Sequence, residues 1–130
     1  MKRVLAVAAI VAAGVFLPDV AQAQAQKSSA PVGRQASITG TVVDVSCKFG
    51  QGLSGADHRM CAEVCSDRGI PLAILGDDGK LYVPTSAAMP GDAQNSRLRP
   101  FAEQQVRVSG RVFAAGGANA IQIASIERGR

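Results

Sequence analysis

Residues 105–126, QVRVSGRVFAAGGANAIQIASI, show the clearest strand pattern in the chain. Valines alternate with arginine and serine in the first half, and Ile121 and Ile123 alternate with polar or small residues in the second. Alternation with a period of two places one face of a strand in a core. Two glycines between such runs favour a turn. This stretch therefore predicts a β-hairpin with strands at 105–113 and 119–126.

Two further β elements are predicted upstream of this hairpin. The β-branched run Ile38–Val45 has the length of a strand, and Gly40 within it indicates a bulge or bend. Further along, Asp77-Asp78-Gly79 separates the short apolar runs 71–75 and 81–83, which is typical of a hairpin turn. Together with the last hairpin these runs give about five strands.

One short helix is expected between the first strand and the first hairpin. Asp57 is a natural N-cap for a helix from His58 to about Arg68, and Gly69 can end it. The glycine-rich segment 48–55 predicts a loop, and residues 96–102 predict a helical turn. The order of elements is then strand, helix, hairpin, helical turn and hairpin.

This order predicts a mainly β fold, in the small α+β class. We expect an OB-like Greek-key barrel of about five strands, with one short helix after strand 1. The position of that helix departs from the common OB pattern, in which the helix lies between strands 3 and 4.

The N-terminus has the three parts of a secretory signal. Lys2 and Arg3 precede the uncharged apolar run Val4–Leu17, and small-residue cleavage patterns end at Ala23 and Ala25. The apolar run is shorter than the roughly 20 residues that a membrane-spanning helix needs. The sequence therefore predicts a protein of the periplasm or the exterior, with no membrane span in its mature form. Its parts would be a signal peptide at 1–25, a flexible leader at 26–36 and an OB-like barrel domain at 37–130.

Composition argues against a nucleic-acid partner. The formal net charge is +4, and the arginines are dispersed along the chain rather than gathered in one block. The chain has no tryptophan and only 4% aromatic residues. Proteins that bind single strands rely on exposed aromatic side chains among basic groups, so we expect no nucleic acid to bind.

All three cysteines and the only histidine lie in one short segment, as Cys47, His58, Cys61 and Cys65. On a helix the last three fall within an arc of roughly 60°. Cys47, just after the first strand, can close over the same face. Because thiolates and imidazole favour zinc or copper, the sequence predicts a Zn or Cu ion bound by these four residues. A second periplasmic protein is a further candidate partner.

Other uses of the cysteines stay open. In an exported protein, a disulfide between Cys47 and Cys61 or Cys65 competes with metal binding and leaves one thiol over. Thiol redox chemistry is a third option, although the chain lacks Cys-x-x-Cys. The sequence favours a metal carrier, store or sensor that is not an enzyme. The alternative is a disulfide-stapled periplasmic binding or interaction module with no metal.

Residues beside the cluster also receive an interpretation. Lys48, Arg59 and Arg68 would favour the thiolate form of the cysteines. Met60 lies off the cysteine face and is interpreted as a core residue. The carboxylate of Asp44 is interpreted as a cap or a solvated side chain.

Five short motifs follow one another within roughly 38–126: Asp44-Val-Ser-Cys47, Gly55-Ala-Asp-His58, Cys61-Ala-Glu-Val-Cys65, Gly69-Ile-Pro71 and Asp78-Gly79-Lys-Leu-Tyr82. In these motifs the chain resembles a group of small exported bacterial proteins of uncertain role. The resemblance implies an OB-type barrel in which the cysteines and the histidine occur as a unit. It implies no activity.

Overall fold

The computed structural model describes residues 30–129, and five strands close into a barrel in the order β1-β2-β3-β5-β4. This confirms the predicted mainly β, OB-like barrel. The strands are β1 Arg34–Asp44, β2 Leu72–Gly76, β3 Leu81–Pro84, β4 Gln105–Ala115 and β5 Ala118–Arg128.

The predicted signal peptide at 1–25 lies outside the described residues. The predicted leader at 26–36 lies partly outside them as well. β1 begins at Arg34, so the last three residues predicted as leader belong to the first strand.

Strand pairing explains how the barrel closes. β1 pairs antiparallel with β2 on one side and with β4 on the other, and β3 and β5 pair in parallel. A bulge or a bend was predicted at Gly40; the register of β1 runs unbroken through this residue, so the bulge is wrong. The shift lies between Ser109 and Gly110 in β4. Gly40 is required for another reason, because an added Cβ would overlap the Leu75 backbone oxygen across the β1–β2 pair.

The core follows the alternation in the sequence. Val106 and Val108 of β4 and Ile121 of β5 are fully buried, and Ile123 is 7% exposed. They pack with residues from the other strands into one apolar cluster. Burying each side chain of this size contributes about 1.5–3 kcal/mol, so the barrel holds its shape through apolar contacts.

The connection between β1 and β2 contains two helices, where a loop and one helix were expected. Helix α1 spans Val45–Gln51, so the prediction of a loop over 48–55 is wrong for its first part. Oδ1 of Asp44 caps α1 by accepting a hydrogen bond from the Cys47 N–H at 3.1 Å. Gly52, at φ 69°, ends the helix in the left-handed region.

Helix α2 spans Arg59–Asp67 and follows a 3₁₀ turn at Ala56–His58. Asp57 makes no capping hydrogen bond, so its predicted role as N-cap is wrong. Gly69, at φ 88°, lies just past the end of α2, as predicted. The Ile70 N–H donates to the Cys65 carbonyl at 3.0 Å and completes this C-terminal cap.

A short helical segment between β3 and β4 confirms the turn predicted at 96–102. It consists of α3, Asn95–Leu98, and a 3₁₀ turn, Arg99–Phe101. Leu98 is fully buried against the barrel core. The position between strands 3 and 4 is the one that OB barrels commonly use for a helix. In the described part of the chain, no helix combines the length and apolarity needed to cross a membrane.

Candidate metal centre

The four predicted ligands all lie in the β1–β2 connection. Cys47 is on α1 and is 8% exposed, and His58 ends the 3₁₀ turn with 8% exposure. Both remaining cysteines are on α2, where Cys61 is exposed and Cys65 is half-buried. The fold therefore brings residues from three separate helical pieces to one end of β1.

The cluster has two halves that share Cys47. The three cysteine sulfurs lie within 4.8 Å of one another, as the sequence predicted. A second set, within the same limit, consists of ligand atoms of Asp44, Cys47 and His58. The imidazole of His58 therefore lies beside Cys47 and the Asp44 carboxylate. Asp44 was not among the ligands predicted from the sequence.

All three cysteines are free thiols. The disulfide that competed with metal binding in the sequence analysis is not formed. Thiols are potential thiolate ligands for soft and borderline ions, so the full sulfur set is available for coordination.

Asp44 is a buried carboxylate with one free oxygen. The residue is 0% exposed, and no N–H or O–H group donates to Oδ2. Burial acts to raise the pKa of this carboxyl. The hydrogen bond from the Cys47 N–H, with the nearby Cys65 and Cys47 thiols and the Ser46 N–H, outweighs that effect and holds the pKa below its ordinary value. The side chain is therefore an anion at neutral pH.

Asp44 in turn keeps protons on its sulfur neighbours. The pKa of Cys65 rises to about 12, first because its thiol lies against the Asp44 carboxylate and then because of burial and the charge of Asp44. Burial and the same charge raise the pKa of Cys47. A bound ion must displace these protons, so binding releases them to solvent.

Two of the three basic residues expected to favour thiolates, Lys48 and Arg59, make other contacts. Nζ of Lys48 donates to Oγ of Ser54 at 3.1 Å, and Nε of Arg59 pairs with Glu63 at 3.0 Å. The prediction that they lower the thiol pKa values is therefore wrong for Cys47 and Cys65. Lys48 and Arg59 are close to the cysteines along the chain, but in the structure their side chains contact Ser54 and Glu63.

His58 presents a second free polar atom in the same half of the cluster. Its Nε2 is buried and has no hydrogen-bond partner, while its backbone N–H donates to the Gly55 carbonyl at 3.0 Å. A buried polar group left without a partner costs about 1–3 kcal/mol. Two atoms of this kind are therefore found in the residues that lie beside the Cys47 thiol: Nε2 of His58 and Oδ2 of Asp44.

A segment far away in sequence holds α2 in place; we call Asn95–Glu103 the strap. At one end, Oε2 of Glu103 accepts a hydrogen bond from the Gly55 N–H at 2.7 Å. At the other end, the Asn95 amide donates to the carbonyls of Ser66 at 3.2 Å and Ile70 at 2.7 Å. Neither Glu103 nor Asn95 could be assigned to the site from the sequence, because no local pattern relates them to the cluster.

The outer face of α2 is apolar around its exposed cysteine. Met60 is 79% exposed, so its interpretation as a core residue is wrong, and Val64 is 46% exposed. Cys61 lies beside them on the same helix and is also exposed. The sulfur half of the cluster is thus reachable from solvent.

Comparisons of the chain with protein-family models, with curated proteins and with solved structures found no match.

Proposed function

We propose that this protein is an exported metal-binding protein that holds a zinc or copper(I) ion through Cys47, His58, Cys61 and Cys65. The observation that carries the proposal is the approach of the three sulfurs to within 4.8 Å of one another. Sulfurs that share one zinc at about 2.3 Å each stand about 3.8 Å apart. Closing the set around an ion therefore needs side-chain movements of at most about 1 Å.

The exposure of Cys61 supports a site that exchanges its ion. Structural zinc sites are closed on all sides by protein ligands. Here Cys61 is an exposed residue while Cys47 is buried, so an incoming ligand can approach the ion from the side of Cys61. In this proposal the protein carries, stores or senses the ion and catalyses no reaction.

Exchange of this kind implies a partner. In this proposal the partner is a second exported protein whose own thiolates give the ion to Cys61 or take it from there. The exposed apolar side chains of Met60 and Val64 beside this thiol support such a contact. The predicted signal peptide at 1–25 supports a meeting place outside the cytoplasm.

Metal analysis of the full chain, purified without oxygen, tests this function. We expect about one zinc or copper(I) ion per chain, and we expect three titratable thiols once the ion is removed. At a free ion concentration about 100 times the Kd, binding should raise the free energy of unfolding by about 2.7 kcal/mol. Cys47→Ser should abolish both the bound metal and this gain.

Asp57→Asn is the matched control, since Asp57 is exposed and lies next to His58 but outside the cluster. This variant should bind metal like the parent. Two blocked thiols with no bound metal would instead support the disulfide-stapled module. Metal that persists in Cys47→Ser would show that binding occurs elsewhere.

A further inference from the structure

We propose that Asp44 is a further metal ligand and that the cluster contains two overlapping positions for an ion. The inner position consists of Asp44, Cys47 and His58. The outer position consists of Cys47, Cys61 and Cys65. This inference rests on the proposed function, because it assumes that the cluster binds metal. It divides the four proposed ligands between two positions that share Cys47, and it assigns each position its preferred ion.

Burial and unpaired atoms define the inner position. Asp44 is 0% exposed, and Cys47 and His58 are each 8% exposed. Oδ2 of Asp44 and Nε2 of His58 have no hydrogen-bond partner. Buried polar atoms in proteins are normally paired, and exceptions need an explanation. An ion beside the Cys47 sulfur would use both free atoms at once.

Charge decides which ion suits the inner position. A carboxylate and one thiolate carry two negative charges, and the imidazole ligand is neutral. A divalent ion cancels that charge, and burial without net charge avoids a large desolvation cost. Mixed oxygen, nitrogen and sulfur ligands are typical of zinc. The inner position therefore favours zinc(II).

The outer position has the opposite character. Three thiolates around copper(I) leave a net negative charge, which is acceptable only where water reaches the site. Cys61 is exposed and Cys65 is half-buried, so the outer position meets that condition. Soft sulfur ligands without oxygen favour copper(I). The two positions share the Cys47 sulfur and differ in every other ligand.

Paired substitutions test this assignment. Each ion is titrated into the full chain without oxygen, in competition with a chromophoric chelator. The ions are zinc(II), copper(I) and cobalt(II), which replaces zinc(II) where visible absorption is measured. Asp44→Asn should weaken zinc(II) binding at least about tenfold and change copper(I) binding less than about threefold. Cys61→Ser should show the reverse, and Asp57→Asn should change neither.

Asparagine is chosen at position 44 because its side-chain oxygen can still cap α1. Circular dichroism and an unfolding titration, both in chelator, show whether each variant folds. Equal zinc(II) affinity in Asp44→Asn and the parent would overturn the inference, as would equal losses for both ions in both variants. A parent chain that binds neither ion would instead refute the proposed function.

A second measurement does not depend on how Asp44→Asn folds. Cobalt(II) at the inner position should show charge-transfer absorption from one thiolate, unchanged by Cys61→Ser. An absorption that falls markedly in Cys61→Ser would place the divalent ion on the outer sulfurs and overturn the assignment.

Discussion

The β4–β5 hairpin and the β1–β2 connection bury different kinds of side chain. In the hairpin, the fully buried residues are apolar, such as Val106, Val108 and Ile121. Where β1 leads into the connection, the carboxylate of Asp44 and the imidazole of His58 are buried, and each has an atom without a hydrogen-bond partner. Apolar burial stabilises the fold, whereas unpaired polar burial opposes it. The connection therefore carries a cost in stability, which a bound ion would offset under the proposed function.

The largest effect is expected where the barrel core loses volume. Ile121→Ala removes a fully buried side chain that packs in the central apolar cluster. Such truncations cost about 2–5 kcal/mol. Urea unfolding of the metal-free protein should show this loss, while the metal affinity of the folded protein stays that of the parent.

Val83→Ala serves as the control, because Val83 is also on a strand but is 42% exposed. It should cost less than about 1 kcal/mol. If both variants lost equal stability, the apolar cluster would not be what holds the barrel together.

A smaller effect of opposite sign is expected in the connection. His58→Leu replaces a buried group that has an unpaired nitrogen by an apolar side chain of similar size. With chelator present, the free energy of unfolding should not fall, and it should rise by up to about 1 kcal/mol. With zinc(II) present, the parent should be the more stable protein.

Urea unfolding in chelator and in zinc(II) measures whether His58→Leu is more or less stable than the parent under each condition. His58→Ala in chelator is the matched comparison, since it leaves a cavity and should be less stable than His58→Leu. A clear loss of stability for His58→Leu in chelator would mean that the imidazole has a stabilising role without metal.

The smallest effect is expected from an exposed carboxyl in the barrel. Oδ2 of Asp78 accepts a hydrogen bond from the Tyr82 hydroxyl at 2.7 Å. That bond, with one from the Lys80 backbone, holds the pKa of Asp78 below its ordinary value of 3.8. The stabilisation is therefore complete above pH 3.8 and is lost as the pH falls through the lower, folded value.

Tyr82→Phe isolates this contribution from the other acids of the chain. The difference in unfolding free energy between the parent and Tyr82→Phe should be larger at pH 6 than at pH 2, measured by urea titration at both values. A difference that does not change between the two pH values would show that the hydroxyl does not shift the Asp78 pKa.

Local patterns were sufficient to predict the barrel. Alternation in 105–113 and 119–126 and the turn at Asp77-Asp78-Gly79 each depend on neighbouring residues, and the structure has strands and turns at those places. The start of α1 was missed because Asp44 reads equally well as the end of a strand. Its capping hydrogen bond to the Cys47 N–H appears only once the chain bends there.

The candidate site could be predicted only in part. Helical spacing indicated that the sulfurs converge, and they do. Asp44 as a neighbour of His58, and Glu103 as a partner of Gly55, depend on contacts between segments distant in sequence. No periodicity encodes such contacts, because they follow from the closure of the barrel.

The strap makes the ligand geometry a property of the whole domain. Gly55 is bound to Glu103, and Ser66 and Ile70 are bound to Asn95, so the chain on both sides of α2 is anchored beyond β3. A synthetic peptide covering 44–70 would hold every sulfur, the imidazole and the carboxylate, yet it would have to order them as the ion arrives. The intact domain has already met that entropic cost in folding. Under the proposed function, the coordination sphere is thus preorganised by residues outside the cluster.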